Sequence, residues 1–427
     1  MKVMVVGGGG REHAIIKKLK ENKEITSIYA LPGNGGISVD AVCVNIGAKE
    51  IDKIVSFARE TKIDYAVVAP DDPLVLGCVD ALESYGIPCF GPSKAAARIE
   101  GSKVFSKNLM KKYGIPTAEY RVFDSAEEAK AYLQTAPVPT VIKADGLALG
   151  KGVIIAETRE DALDAVSSMM EDKIFGESGA RIVVEEFLTG PEVSVLSFTD
   201  GETVVPMISS MDHKRALDGD QGLNTGGMGT VAPNPFYTDA IADICMKEIF
   251  LPTIRAMKEE GCPFKGCLYF GLMLTEKGPK VIEYNCRFGD PETQVVLPLL
   301  KSDLFDVMRA VTEGRLKDMK VEFHKKAACC VVMASEGYPK KYQTGHEIRV
   351  FAGEPGCEIF YAGAKAENGK LLTSGGRVLG LTAISGDLSS AVAKAYSCIT
   401  NITFENAFYR KDIGQRALSV LQEESEQ

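Results

Sequence analysis

One predicted strand and the turn after it carry the densest set of residues able to do chemistry. The stretch reads KVIEYNCRFGDPET over residues 280–293. Because side chains alternate along a strand, Glu283 and Asn285 share one face, which suits oxygen ligands to Mg²⁺. Arg287 continues that face and Asp290 follows in the turn, where a guanidinium can grip a carboxylate while the metal bridges phosphate oxygens. The stretch predicts a site for a metal-bound phosphate and a carboxylate.

The alternative for this stretch is an ordinary strand end in solvent. Ile282 and Tyr284 argue against it, since two apolar residues on the other face indicate a half-buried strand. A second carboxylate, Glu292, lies in the same turn. We therefore interpret the polar face as functional.

A glycine-rich loop follows a second predicted strand. The apolar run that ends at Lys143 leads into ADGLALGKG at residues 144–152. A lysine that faces the interior is costly unless it meets an anion, and a loop of this kind can close over nucleotide phosphates and exclude water. The GxxxxGK[ST] spacing of a Walker loop is missing, and an exposed hairpin turn remains the alternative. The candidate phosphate contacts here are Lys143, Gly146, Gly150, Lys151 and Gly152.

A third segment, RIVVEEF at residues 181–187, reads as a strand that ends in two carboxylates, with Glu192 beyond a turn. Such an edge can offer backbone groups to an adenine and a carboxylate to ribose hydroxyls. Surface acid pairs are common, so this segment alone leaves both readings open.

The glycines at residues 7–10 follow a strand and open a helix, so their amides can meet a phosphate at the positive helix end. A dinucleotide-binding fingerprint would need a third glycine where Glu12 stands and an acidic residue in the region 30–34, which reads ALPGN. This disfavours a dehydrogenase. The alternative is that the glycines only permit a tight turn.

The elements that position these residues follow from the pattern along the chain. Residues 1–101 alternate strands and helices, which predicts a parallel sheet. Residues 102–324 form a mixed block with a long amphipathic helix at 238–260, and residues 325–427 read as a small α+β domain. A length of 427 residues agrees with two to four domains.

Composition excludes several classes of protein. With 45% hydrophobic and 25% charged residues and no long apolar run, we expect no membrane span. The net charge of -9 argues against a nucleic-acid surface. The absence of a secretory pattern predicts a cytoplasmic location. Eleven scattered cysteines without CxxC spacing are expected to be buried thiols.

Ten motifs in one order give the chain a family resemblance. They are GGGGREHA, PGNGG, GSK, IKADGLALGKGV, EEFLTG, MDHKR, NTGGMG, EYNCRFGDPETQ, GGRVL and YRKDIG. Over essentially its whole length the chain resembles the glycinamide ribonucleotide synthetase family of the ATP-grasp superfamily. The resemblance implies a multidomain α/β and α+β fold: a Rossmann-like domain over 1–101, an ATP-grasp domain over 102–324 with a lid lobe at about 121–192, and a C-terminal substrate-binding domain over 325–427.

The resemblance also implies a reaction. ATP, glycine and 5-phosphoribosylamine would give glycinamide ribonucleotide, ADP and phosphate, with Mg²⁺ or Mn²⁺ as the metal. Glycyl phosphate would be the intermediate, because hydroxide is a poor leaving group and phosphate is a good one. The resemblance also leaves open a transient contact between this chain and the enzyme that makes phosphoribosylamine.

Residue roles implied by the resemblance follow its motifs. The ATP phosphates would contact Lys103, Lys143 and the loop with Gly146, Gly150, Lys151 and Gly152. Adenine and ribose would contact Glu185, Phe187 and Glu192, and the metal would be bound by Glu283 and Asn285. Glycine and its acyl phosphate would be framed by Asp212, Lys214, Arg215, Asn224, Gly226, Gly227, Arg287 and Asp290. Phosphoribosylamine would be surrounded by Gly9, Gly10, Glu12, Asn34, Asp71, Lys365 and Arg377.

Three positions depart from the family pattern. Asp71 replaces a longer glutamate, Leu223 stands where a proline is usual, and Phe270 replaces a small residue and is expected to narrow the nucleotide side. None of the three removes a charged catalytic group. The competing hypotheses are another ATP-grasp ligase or carboxylase with a different acid, a nucleotide-binding oxidoreductase, and a regulatory nucleotide-binding module.

Overall fold

The structure is a computed structural model that describes residues 1–148, 152–351 and 353–426, with side chains through Glu423. Within these residues no helix is long and apolar enough to cross a membrane. Gly150 and Lys151, two of the predicted phosphate contacts, lie outside the described residues.

The N-terminal part of the chain forms a parallel five-stranded sheet in the order β3-β2-β1-β4-β5, flanked by helices. The strands and helices are β1 (Lys2–Gly7), α1 (Gly10–Leu19), β2 (Ser27–Pro32), β3 (Val42–Cys43), α2 (Ile51–Thr61), β4 (Tyr65–Val68), α3 (Asp71–Leu76), α4 (Cys78–Glu83), β5 (Cys89–Phe90) and α5 (Lys94–Gly101). Central strands β1 and β4 are buried on both faces, as parallel strands covered by helices must be. The predicted parallel sheet is confirmed.

The middle of the chain contains two four-stranded antiparallel sheets. Its elements are α6 (Lys103–Tyr113), β6 (Tyr120–Phe123), α7 (Ala126–Leu133), β7 (Thr140–Ala144), β8 (Val153–Ala156), α8 (Arg159–Val166), β9 (Ile182–Glu186), β10 (Glu192–Asp200), β11 (Val204–Pro206), β12 (Met211–Asp212), β13 (Arg215–Leu217), β14 (Gln221–Asn224), β15 (Gly229–Ala232), α9 (Asp239–Cys245), α10 (Leu251–Glu259), β16 (Lys265–Thr275), β17 (Gly278–Asn285), α11 (Thr293–Leu299) and α12 (Leu304–Thr312). The first sheet has the order β6-β9-β7-β8 and lies in the segment predicted to form the lid lobe, a name kept for it below. The second sheet has the order β11-β10-β16-β17. The predicted long helix is α9 and α10 joined by a π turn, Met246–Phe250.

The C-terminal part adds β18 (Ala327–Ser335), β19 (Arg349–Val350), β20 (Cys357–Tyr361), β21 (Ala364–Glu367), β22 (Lys370–Thr373), β23 (Arg377–Ser385), α13 (Leu388–Ile399), β24 (Ile402–Thr403), β25 (Ala407–Phe408) and α14 (Gln415–Glu426). Its main sheet has the order β12-β15-β18-β23-β20, with β25 on β18. Strands β12 and β15 precede residue 324. The terminal α+β part is therefore joined to the middle of the chain by strand pairing as well as by sequence.

A β-bulge corrects one expectation about β17. Gly271 pairs with Glu283, whereas the next residue of β16, Leu272, pairs with Val281, so Ile282 is the extra residue. Val281 and Tyr284 therefore face the core, and Ile282 lines the site cavity instead of the buried face. The predicted shared face of Glu283 and Asn285 is unaffected, because the bulge precedes both.

The cysteines mostly follow expectation. Nine are free thiols, and all of these except Cys43 are buried. The expectation of thiols throughout is wrong for Cys357 and Cys398, which form a disulfide between β20 and α13. These two residues are far apart in sequence and meet because the helix packs beside the strand.

Candidate active site

A cavity of about 860 Å³ lies where the three parts of the chain meet. The lid lobe supplies Lys143, Glu185 and Phe187, and the second antiparallel sheet supplies Glu192, Glu283 and Asn285. The other predicted site residues that line it are Asp71, Lys103, Gly152, Asp212, Lys214, Arg215, Asn224, Gly226, Arg287, Asp290 and Arg377. The fold thus brings most of the predicted residues to one place.

Lysines and a buried glutamate form one wall. Glu185 Oε2 lies 3.0 Å from Lys143 Nζ and 2.9 Å from Lys107 Nζ. Lys143 Nζ also donates to the backbone oxygen of Ile282 at 3.0 Å. Burial, opposed in part by Glu185, lowers the pKa of Lys107 to about 8. The sequence predicted that Lys143 needs an anion, and within the protein that anion is Glu185.

Lys103 stands at the start of α6 because Ser102 caps that helix, accepting from the N–H of Phe105 at 3.1 Å. Its Nζ donates to the backbone oxygen of Gly146 at 3.1 Å. Burial lowers the pKa of Lys103. Gly146 does not line the cavity, and a side chain there would collide with Ser178. Its part in the site is the carbonyl that it offers to Lys103.

Glu283 and Asn285 project from the end of β17 toward the cavity. Burial alone would raise the pKa of Glu283, but Lys214, Lys143 and Lys103 hold it below its usual value. Asn285 Oδ1 accepts from Arg287 Nη2 at 3.1 Å, which leaves a second lone pair. A carboxylate and an amide oxygen on one strand face form a donor set that fits Mg²⁺.

Arg287 is held in place by acidic groups. Its Nη2 lies 3.0 Å from Glu100 Oε1 and 4.0 Å from Asp71 Oδ2. Burial opposes the charge, yet Glu100 and Asp71 raise the pKa of Arg287. Sequence reasoning missed Glu100, the last residue but one of α5, although it directly precedes the GSK motif.

Two buried carboxyl groups that line the cavity, Asp212 and Glu292, interact electrostatically. Burial first, and the neighbouring Glu292 second, raise the pKa of Asp212 well above its usual value, and burial also raises the pKa of Glu292. Asp212 Oδ1 is buried without a hydrogen-bond partner among the described residues. Ser194 Oγ donates to Glu292 Oε1 at 3.4 Å. The pair therefore favours a shared proton or a cationic ligand.

A hairpin of β13 and β14 lies beside these groups. Lys214 Nζ is 2.9 Å from Glu192 Oε2 and 3.7 Å from Glu283 Oε1. Burial opposes the charge, but Glu192 and Glu283 raise the pKa of Lys214 well above its usual value. Arg215 pairs with Asn224 across the hairpin, and its Nη1 donates to the backbone oxygen of Gly222 at 2.8 Å.

Arg377 binds the protein's own backbone. Its Nη1 donates to the carbonyl oxygens of Gly226 and Asp290, both at 2.8 Å. Gly227 has φ +115°, and a side chain there would collide with Pro291 and Asp212. Although Gly227 does not line the cavity, this close packing sets the loop that does.

The predicted phosphoribosylamine residues of the N-terminal part lie at the edge of the site. Glu12 Oε2 accepts from the N–H of Gly9 at 2.6 Å and caps α1. The Asn34 amide donates to the backbone oxygens of Gly8 at 2.9 Å and Tyr361 at 2.8 Å. Neither side chain lines the cavity; both are engaged in holding the turn. Gly9 and Gly10 pack beside the Asp290 turn.

Lys365 is another predicted residue that does not line the cavity. It is about half exposed, and its Nζ lies 2.6 Å from Glu367 Oε2 on the same strand. The role of Lys365 stays a prediction, whereas the expectation for Phe270 is wrong. Its ring is fully buried against Phe250, with 4.3 Å between the ring centroids. It therefore fills the core and does not narrow the part of the cavity predicted to bind the nucleotide.

Several cavity residues were not assigned from the sequence. Among them are Arg11, Glu100, Lys107, Glu292, Tyr338, Arg410 and Asp412. The signal for Lys107 was its position four residues after Lys103, which places both on one helix face. The GDPET and YRKDIG motifs contained Glu292 and Arg410, but no local pattern indicates their partners.

Comparison with known proteins gives the family. Three models describe the chain: the phosphoribosylglycinamide synthetase N domain over residues 1–100, its ATP-grasp (A) domain over 101–293 and its C domain over 328–416. The phosphoribosylamine–glycine ligase of Caldanaerobacter subterraneus subsp. tengcongensis is 48% identical, covering 97% of this chain and 99% of the relative.

Solved structures agree. The phosphoribosylamine–glycine ligase of Thermotoga maritima has a TM-score of 0.86 at 35% identity, covering 97% of this chain and 100% of the other. The biotin carboxylase domain of the Hydrogenobacter thermophilus 2-oxoglutarate carboxylase, in complex with MgADP, has a TM-score of 0.74 at 17% identity, covering 96% and 91%, and it shares the fold alone. The chain belongs to the phosphoribosylglycinamide synthetase family.

Proposed function

We propose that the chain is an ATP-dependent carbon–nitrogen ligase of purine synthesis. It joins glycine to 5-phosphoribosylamine and yields glycinamide ribonucleotide, ADP and phosphate. Family membership over the whole chain supports this function. The observation that carries it is a single cavity in which Glu283 and Asn285 face Lys103, Lys143 and Lys214.

The residues suit activation of a carboxylate. Lys103 and Lys143 would contact the ATP phosphates, and Phe187 and Glu192 would lie beside adenine and ribose. Glu283 and Asn285 would hold Mg²⁺, or Mn²⁺ in its place, which when bound offsets phosphate charge. Positioning and electrostatic stabilisation supply most of the rate in such a transfer.

The remaining residues suit the acid and the amine. Arg287 and Lys214 would bind the glycine carboxylate for attack on the γ-phosphate, and Asp212 would face the glycine ammonium. The amine of phosphoribosylamine then attacks glycyl phosphate and phosphate leaves. A site closed by the lid lobe excludes water, which would otherwise hydrolyse that intermediate. Asp71 and Arg377 would lie on the phosphoribosylamine side.

The test is ADP release with each substrate omitted in turn, with phosphoribosylamine generated in place from ribose 5-phosphate and ammonia. We expect rapid ADP release with all components and at most a slow background when glycine or ribose 5-phosphate is missing. Product is identified by mass as the glycine amide. ADP release that needs bicarbonate, or another acid in place of glycine, would favour a different ligase or carboxylase of the same fold.

Two further expectations remain predictions. A cytoplasmic location is checked by fractionation of the source cells. A transient contact with the enzyme that makes phosphoribosylamine is checked by comparing product yield with that enzyme present and with a free supply of the amine at the same concentration.

A further inference from the structure

The YRKDIG segment at the start of the C-terminal helix has no part in the reaction just described, yet it reaches the cavity. Arg410 and Asp412 both line it. The Arg410 side chain is 2% exposed, and such burial of a guanidinium requires partners for its donors. These partners show what the segment does.

The Arg410 guanidinium binds in two directions. Toward its own segment, Nε and Nη2 donate to the two carboxylate oxygens of Asp412, both at 2.7 Å. Toward the β13–β14 hairpin, Nη1 donates to the backbone oxygen of Arg215 at 3.0 Å and to Asp220 Oδ1 at 2.9 Å. The planar fork thus joins the C-terminal segment to the first residue of β13 and to the turn of the hairpin.

Other contacts reinforce the same junction. The N–H of Gly219 donates to Asp412 Oδ2, and the N–H of Lys411 donates to Asp218 Oδ1, both at 2.8 Å. The N–H of Gly414 donates to His213 Nε2 at 3.1 Å. Segment 410–414 therefore holds the start of the hairpin and its turn.

The hairpin needs such support, because it has little of its own. It is a two-stranded sheet with an irregular register, and Leu217 and Leu223 are exposed. Asp220 has φ +53°, a left-handed conformation that is unfavourable without external contacts. Isolated two-stranded hairpins are marginal in water. The C-terminal segment supplies the contacts that determine its geometry.

We propose that Arg410 is a positioning residue for the ligase reaction, acting through the β13–β14 hairpin. The hairpin begins directly after Lys214, whose Nζ sits between Glu192 and Glu283, and it ends at Asn224 on the cavity wall. Loss of the Arg410 contacts releases Lys214 and Asn224. Lys103 and Lys143, the proposed contacts of the ATP phosphates, keep their own partners. The proposal rests on the proposed function for its kinetic test, but not for its structural one.

The experiment uses the full chain carrying Arg410→Met, with Arg349→Met as the matched control, since Arg349 is an exposed arginine that forms an ion pair with the nearby surface residue Glu347. We expect kcat/KM for glycine to fall about tenfold or more, while the Kd for ATP stays within about twofold. Hydrogen–deuterium exchange should accelerate in residues 215–224 and remain unchanged in the N-terminal sheet. The control should match wild type in all three measurements.

A second variant keeps the proposal falsifiable if Arg410→Met does not fold. Asp220 is 58% exposed, so Asp220→Asn should fold and show a smaller effect in the same direction. In a foldable double variant its effect should not add to that of Arg410→Met. Unchanged hairpin exchange, or equal losses for ATP and glycine, would overturn the proposal. A wild-type protein that makes no glycine amide would instead overturn the proposed function, and hairpin exchange would still test the positioning role.

Discussion

Lys143 and Glu185 form an ion pair of 3.0 Å in which each side chain is only 4% exposed. Lys107 contacts the same carboxylate from α6, so one negative charge serves two ammonium groups. The surplus positive charge faces the cavity, where the phosphates of ATP would complete the neutralisation. A buried cation pair of this kind is stable only with a nearby anion.

Glu185→Gln should therefore destabilise the protein without nucleotide by about 3–5 kcal/mol, because two buried ammonium groups lose their shared carboxylate. MgATP should recover part of that loss, since its phosphates supply negative charge. Urea unfolding with and without MgATP measures both effects. Glu186→Gln, on the next and exposed residue, is the control; an equal effect in the control would contradict this role.

Glu283→Gln should leave the fold intact and lower turnover by roughly 100-fold or more, because one charged Mg²⁺ ligand is lost. Activity is measured over a range of Mg²⁺ concentrations. Glu276→Gln, an exposed carboxylate in the turn of the same β16–β17 hairpin, should retain full activity. Near-normal turnover of Glu283→Gln at millimolar Mg²⁺ would exclude the metal-ligand role.

Arg377→Ala and Lys365→Ala should differ, although the family resemblance groups the two residues. Arg377 binds the carbonyls of Gly226 and Asp290, so its loss should lower kcat about tenfold as well as raise KM for phosphoribosylamine. Lys365 is paired with Glu367 on an exposed strand, and its loss should change each KM less than about twofold. Steady-state kinetics with each substrate varied distinguishes the two variants, and a strong effect of Lys365→Ala on the KM for phosphoribosylamine would support the role that the family resemblance implies.

His213 should make the free energy of unfolding depend on pH in the acid range. Burial first, and the charge of Arg410 second, lower its pKa from 6.5 to about 4. The folded state holds the neutral ring, so this stability is full above pH 6.5 and is lost as the pH falls toward 4, by about 3 kcal/mol at most. Urea unfolding between pH 7 and 4.5 checks it. His213→Leu should be less stable at pH 7, but its free energy of unfolding should fall less steeply between pH 7 and 4.5. An equally steep fall in this variant would show that other groups cause the loss of stability in acid.

Local patterns in the sequence determined which residues carry chemistry and how the strands present them. The two-residue period of β17 put Glu283 and Asn285 on one face, and this holds because a pleated strand imposes that period without reference to the rest of the chain. The apolar run before Lys143 indicated a lysine that faces inward for the same reason. The alternation of strands and helices in the first hundred residues predicted the parallel sheet.

Tertiary structure decided which partners those residues have. Glu185 on β9 meets Lys143 from the neighbouring strand β7 and Lys107 from α6, which is distant in sequence. Ile282 turns to the cavity through a bulge that depends on pairing with β16. Arg410 reaches a hairpin almost two hundred residues earlier in the chain. No local period encodes such distances, since the partner of a buried charge is selected by the packing of whole elements and by the need to neutralise that charge away from water.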